Sequence, residues 1–182
     1  MMFKGIRLSM LRMYFNGLLR FIVGVDRVLD IGGGDGSLCE VLGGVDYYVV
    51  VDVDYEALTR VRRLSCNGVV ECLASDAHYI PLRDRSWRGV AILHNVLHHL
   101  EDPKKGLEEV TRVLSEGSCL YIRDPNINTW VGKLIMLIEK FLGYPAKLIT
   151  PKKLANIMKS LAVEKVEILE ESIEYTVRAC IT

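Results

Sequence analysis

Five short apolar runs, at 28–31, 47–51, 69–73, 90–94 and 119–123, alternate along the chain with stretches of helical periodicity. The helical candidates are Gly36 to Leu42, Tyr55 to Leu64, and Pro103 to Leu114, the last with Asp102 as N-cap and Pro103 in its first turn. Runs such as YYVVV and VAILH are apolar at successive positions, as in strands covered on both faces. Parallel strands need crossover connections, so this alternation predicts an α/β fold with a doubly wound, mostly parallel sheet.

The rhythm changes after Arg123. The apolar VGKLIMLIEKFLGYP reads as helix, Thr150 caps a second helix from Pro151 to about Leu161, and two strand-like segments follow at Val163–Leu169 and Ile173–Ile181. The acidic link between those strands is too short for a crossover, so they must pair antiparallel. With 182 residues, half of them hydrophobic, the chain suits one core. A single domain over 1–182 is expected, with residues 1–25 as a cover helix and 124–162 as a helical lid insert.

Lys plus Arg and Asp plus Glu balance at 23 each, so no global field draws the chain to nucleic acid. The first 25 residues are locally basic: Lys4, Arg7, Arg12 and Arg20 stand among Leu8, Met10, Leu11, Phe15, Leu18, Leu19 and Ile22 with no acid. Such a segment covers a sheet or makes peripheral contact with a membrane surface. No apolar run approaches the roughly 18 residues of a membrane span, and no cleavage-site pattern follows one, so a cytoplasmic location is expected. Cys39, Cys66, Cys72, Cys119 and Cys180 are odd in number and never spaced CxxC, which points to free thiols rather than disulfides or zinc ligands.

The sharpest local signal is RVLDIGGGDGSLCEVL, Arg27 to Leu42, where glycines occupy four of five positions between a strand and a helical pattern. A bare turn of this kind lets a ligand approach backbone N–H groups. No Lys-Ser or Lys-Thr pair follows, which excludes a P-loop. The GxGxxG fingerprint of dinucleotide sites fits poorly, since its third glycine would fall on Ser37 or Cys39. Asp30 at the entrance would repel a pyrophosphate and favour an ammonium or sulfonium.

LDIGGGDG has the form D-x-G-x-G-x-G and resembles motif I of the class I S-adenosylmethionine-dependent methyltransferases, with Asp30, Gly32, Gly34 and Gly36 in its four positions. YYVVVDVDYEAL is similar to that family's second strand, which puts Asp52 on the ribose hydroxyls and Val53 against the adenine. LASDAHYIPLRDRSWRGVAIL is similar to the segment in which Asp76 and the Ala77 backbone meet the adenine edge. HNVLHHLEDPKKGLEEVTRVLSEGSCLYIRDPN resembles the fourth strand, helix and fifth strand of the methyltransferase-11, ubiquinone/menaquinone-biosynthesis-like type. The match runs from about Arg27 to Asn126, and TPKKLANIMKSLAVEKVEIL is similar to the family's last helix and sixth strand. Trp87-Arg88 and Ser115-Glu116-Gly117 depart from the usual Phe-Asp and Pro-Gly, away from the implied cofactor contacts.

The resemblance implies a Rossmann-like, seven-stranded sheet with an antiparallel C-terminal strand. It also implies S-adenosyl-L-methionine as cofactor, S-adenosyl-L-homocysteine as product, and methyl transfer by direct displacement to a small-molecule or lipid-like acceptor. Post-strand HNVLHHL lacks the Asn/Asp-Pro-Pro-aromatic motif of adenine and glutamine methylation. His94, at the end of a strand and beside the cofactor, and His98, at the start of the following turn, are the candidate general bases. No carboxylate or cysteine stands at ligand spacing from them, so no metal is expected. A non-catalytic module that binds the cofactor or a partner remains the alternative, and a nicotinamide enzyme a weaker one.

Overall fold

The computed structural model describes residues 2–143, 147–161, 163 and 165–182, and side chains from Ile6 onward. The side chain of Lys4 in the basic segment, Tyr144 at the end of the apolar helix and Glu164 at the start of the penultimate strand therefore fall outside what it describes. Seven strands, β1 (Arg27–Ile31), β2 (Tyr47–Asp52), β3 (Val69–Ala74), β4 (Val90–His94), β5 (Cys119–Pro125), β6 (Lys165–Glu171) and β7 (Glu174–Cys180), form one sheet in the order β3-β2-β1-β4-β5-β7-β6. The first five are mutually parallel, and β7 lies antiparallel between β5 and β6. The expected doubly wound, seven-stranded sheet is therefore present.

Alternate side chains along each central strand serve opposite cores, because successive Cβ atoms point to opposite faces. Val28, Tyr48, Val50 and Ile92 pack against Phe15 and Leu18 of α1 (Met2–Leu19) and Leu58 and Val61 of α2 (Tyr55–Val61). On the other face Leu29, Ile31, Val49, Val51, Ala91 and Leu93 meet Leu107 and Val110 of α3 (Pro103–Val113) and Leu154 and Met158 of α5 (Pro151–Ser160). Between β5 and α5 lies α4 (Trp130–Phe141), capped by Thr129. At the sheet edge, β3 lacks the double cover that its apolar run suggested; none of its residues is buried.

Two expectations need correction. The helix expected over 36–42 is a single 3-10 turn, Ser37–Glu40, since the left-handed Gly36 directs the chain into a turn too tight to propagate. The cysteines expected as free thiols are joined as Cys39–Cys66 and Cys119–Cys180, leaving Cys72 free and exposed. Sequence spacing gave no hint of this, because the antiparallel register of β5 and β7 is what sets Cys119 opposite Cys180. The two bridges also remove the ground on which a reducing compartment was expected. No helix among the described residues is long and apolar enough to cross a membrane.

Candidate cofactor site

The strand order reverses between β1 and β4, and the loops that leave these strands splay apart at their carboxyl ends. A cleft of about 400 Å³ opens there, lined by Gly32, Asp52, Val53, Asp76 and Ala77 among the expected residues. Gly34 donates its N–H to Asp52 Oδ2 at 2.8 Å, and Asp54 donates to Asp52 Oδ1 at 2.8 Å. These bonds tie the glycine loop to the end of β2 and orient the carboxylate. Gly34 has φ 55°, and a Cβ there would meet nothing within 4 Å. It needs its missing side chain for the left-handed turn, and the space beside it is open.

Asp30 stands beneath the loop rather than on the cleft wall, 3% exposed and bonded to the Tyr48 hydroxyl. Burial pushes its carboxyl up to about 7, against the Tyr48 bond, with Asp52 and Asp35 adding to the rise. A Cβ on Gly33 would lie 2.4 Å from Asp30 Oδ2, so the loop closes over the carboxyl only with glycine there. The sequence reading singled out Gly32, Gly34 and Gly36, but Gly33 is constrained as well, by the carboxyl beneath it. Asp76 accepts from the His78 N–H at 2.8 Å and from His78 Nδ1 at 2.5 Å. The backbone bond, then the ring, hold its carboxyl below the usual range despite some desolvation.

Neither candidate base lines the cleft. His94 is covered by the Tyr14 and Phe15 rings, each 4.9 Å away centroid to centroid. Burial, with help from the Arg123 charge, lowers it to about 4, and its Nε2 has no hydrogen-bond partner. His98 is buried too, with Nδ1 at 2.8 Å from Asp124 Oδ1 and Nε2 at 3.3 Å from Glu139 Oε1 of α4. Burial pulls this ring down, yet the two carboxylates outweigh it and its pKa is raised. Among the described residues, His98, His99 and Glu139 bring ligand atoms within 4.8 Å of one another. A carboxylate at each ring nitrogen satisfies His98 as a cation without a metal.

A family model described as a methyltransferase domain matches residues 29–122, about half of the chain. The chain belongs to this methyltransferase family. Its fold is shared with a Thermotoga maritima S-adenosylmethionine-dependent methyltransferase, a possible histamine N-methyltransferase (TM-score 0.76, 16% identity, covering 100% of this chain and 96% of that one). Human N-acetylserotonin methyltransferase, solved in complex with S-adenosylmethionine, has the same fold (TM-score 0.74, 16% identity, covering 97% of this chain and 56% of that one). Among curated relatives, the demethylmenaquinone methyltransferase of Clavibacter sepedonicus is 33% identical over 99 residues, covering 53% of this chain and 40% of its own length. That of Chlorobaculum tepidum is 31% identical over 118 residues, covering 63% and 48%. The methyltransferase thus spans less than half the length of these two relatives.

Ser75, Asn95, His99 and Glu101 also line the methyltransferase cleft, and the sequence reading assigned none of them a site role. Three of the four follow β4 directly, where the switch-point rule would have pointed once the strand order was known. Asn95 carries a second mark visible only in three dimensions, a left-handed φ of 56° in a residue other than glycine.

Proposed function

We propose that this methyltransferase transfers a methyl group from S-adenosylmethionine to a lipophilic small molecule, with a hydroquinone-type ring as the acceptor class. The observation that carries the reading is the convergence of the glycine loop, Asp52 and Asp76 on one cleft at the strand switch point. The donor set fits the cofactor. Asp52 is a carboxylate already fixed by two N–H groups, with lone pairs left for ribose hydroxyls, and the open space beside Gly34 admits the amino-acid end. Val53 is 71% exposed and forms an apolar wall for adenine, while Asp76 and the Ala77 backbone meet its polar edge. Asp30 and Gly36 act from below the loop, one as the carboxyl over which the loop closes and the other through the turn. The demethylmenaquinone methyltransferase relatives support a quinone-like acceptor.

When bound, S-adenosylmethionine supplies an activated methyl group on a sulfonium. The chain's own task is to align the acceptor oxygen or carbon behind that methyl and to exclude water. Of the two histidines, His94 is the weaker base, lowered to about 4 and covered by rings. His98 is the better candidate once it has lost its Nε2 proton, because Asp124 then holds Nδ1–H as in a carboxylate–imidazole pair and leaves Nε2 able to take a proton from a hydroxyl. Glu139 faces Nε2 and must withdraw before an acceptor hydroxyl can take its place.

The test is a calorimetric titration with S-adenosylmethionine, S-adenosylhomocysteine and NAD, followed by transfer of labelled methyl to a short-chain hydroquinone. Saturable binding of the first two and label in the quinone product support the reading. No binding at millimolar concentration overturns it, and binding without transfer to any quinone or lipid extract leaves the non-catalytic alternative.

A further inference from the structure

We infer that the outward face of α4 is a docking surface for an anionic lipid bilayer. The inference rests on the proposed lipophilic acceptor, and it adds where that acceptor is met. Trp130, Leu134, Leu137 and Phe141 recur at helical spacing with Ile138 and Leu142 alongside, and all are exposed, Phe141 at 89%. The opposite side of the helix is the one that seats it. Gly132 lies against the Asn126 carbonyl, where a Cβ would come within 2.0 Å, and Glu139 turns in toward His98. The apolar stripe is therefore not a helix face turned toward the core. An amphipathic helix whose apolar side points away from its own protein has the pattern of an interfacial helix.

Charge identifies the occupant. From residue 125 to 161 the chain carries six lysines and a single acid, Glu139, in a protein whose total charge is zero. Glu139 is the inward residue, so the exposed charges of α4 are Lys133 and Lys140, seven residues apart and both beside the stripe. A second copy of this chain, docked through the same face by two-fold symmetry, would bring those lysines toward their own copies with no exposed acid on the helix to pair them. An anionic headgroup layer neutralises them while the stripe enters the acyl boundary.

The cleft lies near the helix that carries this face. Glu139 of α4 reaches His98, and Tyr14 of α1 accepts from Asn95 Nδ2 at 3.0 Å, so both helices meet the loop that follows β4 and lines the cleft. On α1, Ile6, Met10 and Met13 are exposed at the same helical spacing, with Arg12 exposed among them. A lipophilic acceptor in the bilayer would then reach the methyl donor without crossing water.

Flotation with vesicles of phosphatidylcholine alone, or of phosphatidylcholine with phosphatidylglycerol, tests this. The protein should float with the anionic vesicles only, and added salt should release it. The double variant Lys133→Gln/Lys140→Gln should bind roughly 30-fold more weakly, at about 1 kcal/mol per lysine, and Leu137→Gln/Phe141→Gln should also lose binding. All four side chains are exposed, so the variants should keep the parent melting temperature and S-adenosylmethionine affinity. Absence of flotation, equal flotation with neutral vesicles, or full binding by either folded variant overturns the inference. So does a dimer in light scattering that Phe141→Gln converts to monomer. Transfer to a water-soluble short-chain hydroquinone is measured in parallel: if it persists without flotation the docking inference alone falls, and if it fails with flotation intact the acceptor reading alone falls.

Discussion

Asp124 and His98 meet at 2.8 Å in a place where neither side chain reaches solvent, one on β5 and the other on the turn after β4. Around them stand Glu139 from α4, the neighbouring His99 ring, and Tyr175, which faces Asp124 across the β5–β7 ladder. Because the folded protein holds His98 above its ordinary 6.5, the stabilisation that comes from protonating this ring is complete below about 6.5, while burial raises the Asp124 carboxyl too, against its His98 contacts. That stabilisation is lost as pH rises through the higher folded value of His98. Urea melts stepped upward from pH 6 should show that decline, and the imidazole titration followed by NMR should place it. Asp124→Asn should remove the decline and lower stability at pH 6 by on the order of 3 kcal/mol, because one member of a buried ion pair is lost.

Asp30 also loses stability as pH rises, but because its neutral form is the favoured one. Its carboxyl is favoured in the neutral form, since burial raises it from 3.8 to about 7. The folded state therefore binds its proton more tightly than the unfolded chain, and the associated stability is complete below 3.8 and lost between there and about 7. The loss amounts to roughly 4 kcal/mol at about 1.4 kcal/mol per unit. Asp30→Asn should be more stable than the parent above pH 7 and should show a flatter melt profile between pH 4 and 7. A steeper profile in the variant would contradict this.

Asp52→Ala removes a carboxylate that orders the glycine loop through Gly34 and, on the proposed reading, accepts from the ribose. Charge-assisted hydrogen bonds of this kind are worth about 1.5 to 3 kcal/mol, so S-adenosylmethionine affinity should fall roughly 10- to 150-fold. Calorimetry measures it directly. An unchanged affinity would remove Asp52 from the site.

The two disulfides close spans of 27 and 61 residues. Chain entropy predicts that opening them costs about 3.5 and 4.3 kcal/mol respectively. Urea melts with and without dithiothreitol should show the combined loss, and Cys119→Ser should cost more than Cys66→Ser. Equal midpoints in oxidant and reductant would mean that the bridges do not form.

The strands were legible because each is short, β-branched and bounded by a helix signal; the structure confirms β4 at both ends and extends β1, β2, β3 and β5 by one or two residues. The 3-10 turn after Gly36 was not legible, because the apolar spacing of Leu38, Val41 and Leu42 suits a longer helix just as well. The cleft was half legible. Asp52, Val53, Asp76 and Ala77 follow strands whose order along the chain reveals them, whereas Asn95 and His99 become wall residues only because β4 lies next to β1.

The amino-acid sequence determined the α/β class, the glycine loop and the acids that follow the strands, since periodicity and local turn chemistry act over a few residues. Tertiary structure decided what those residues face. It buried Asp30 under its own loop, turned His94 beneath Tyr14 and His98 toward Asp124, paired cysteines 27 and 61 residues apart, and left the apolar stripe of α4 in solvent. Burial and partner identity come from strand order and helix orientation, contacts between distant residues that no local pattern encodes.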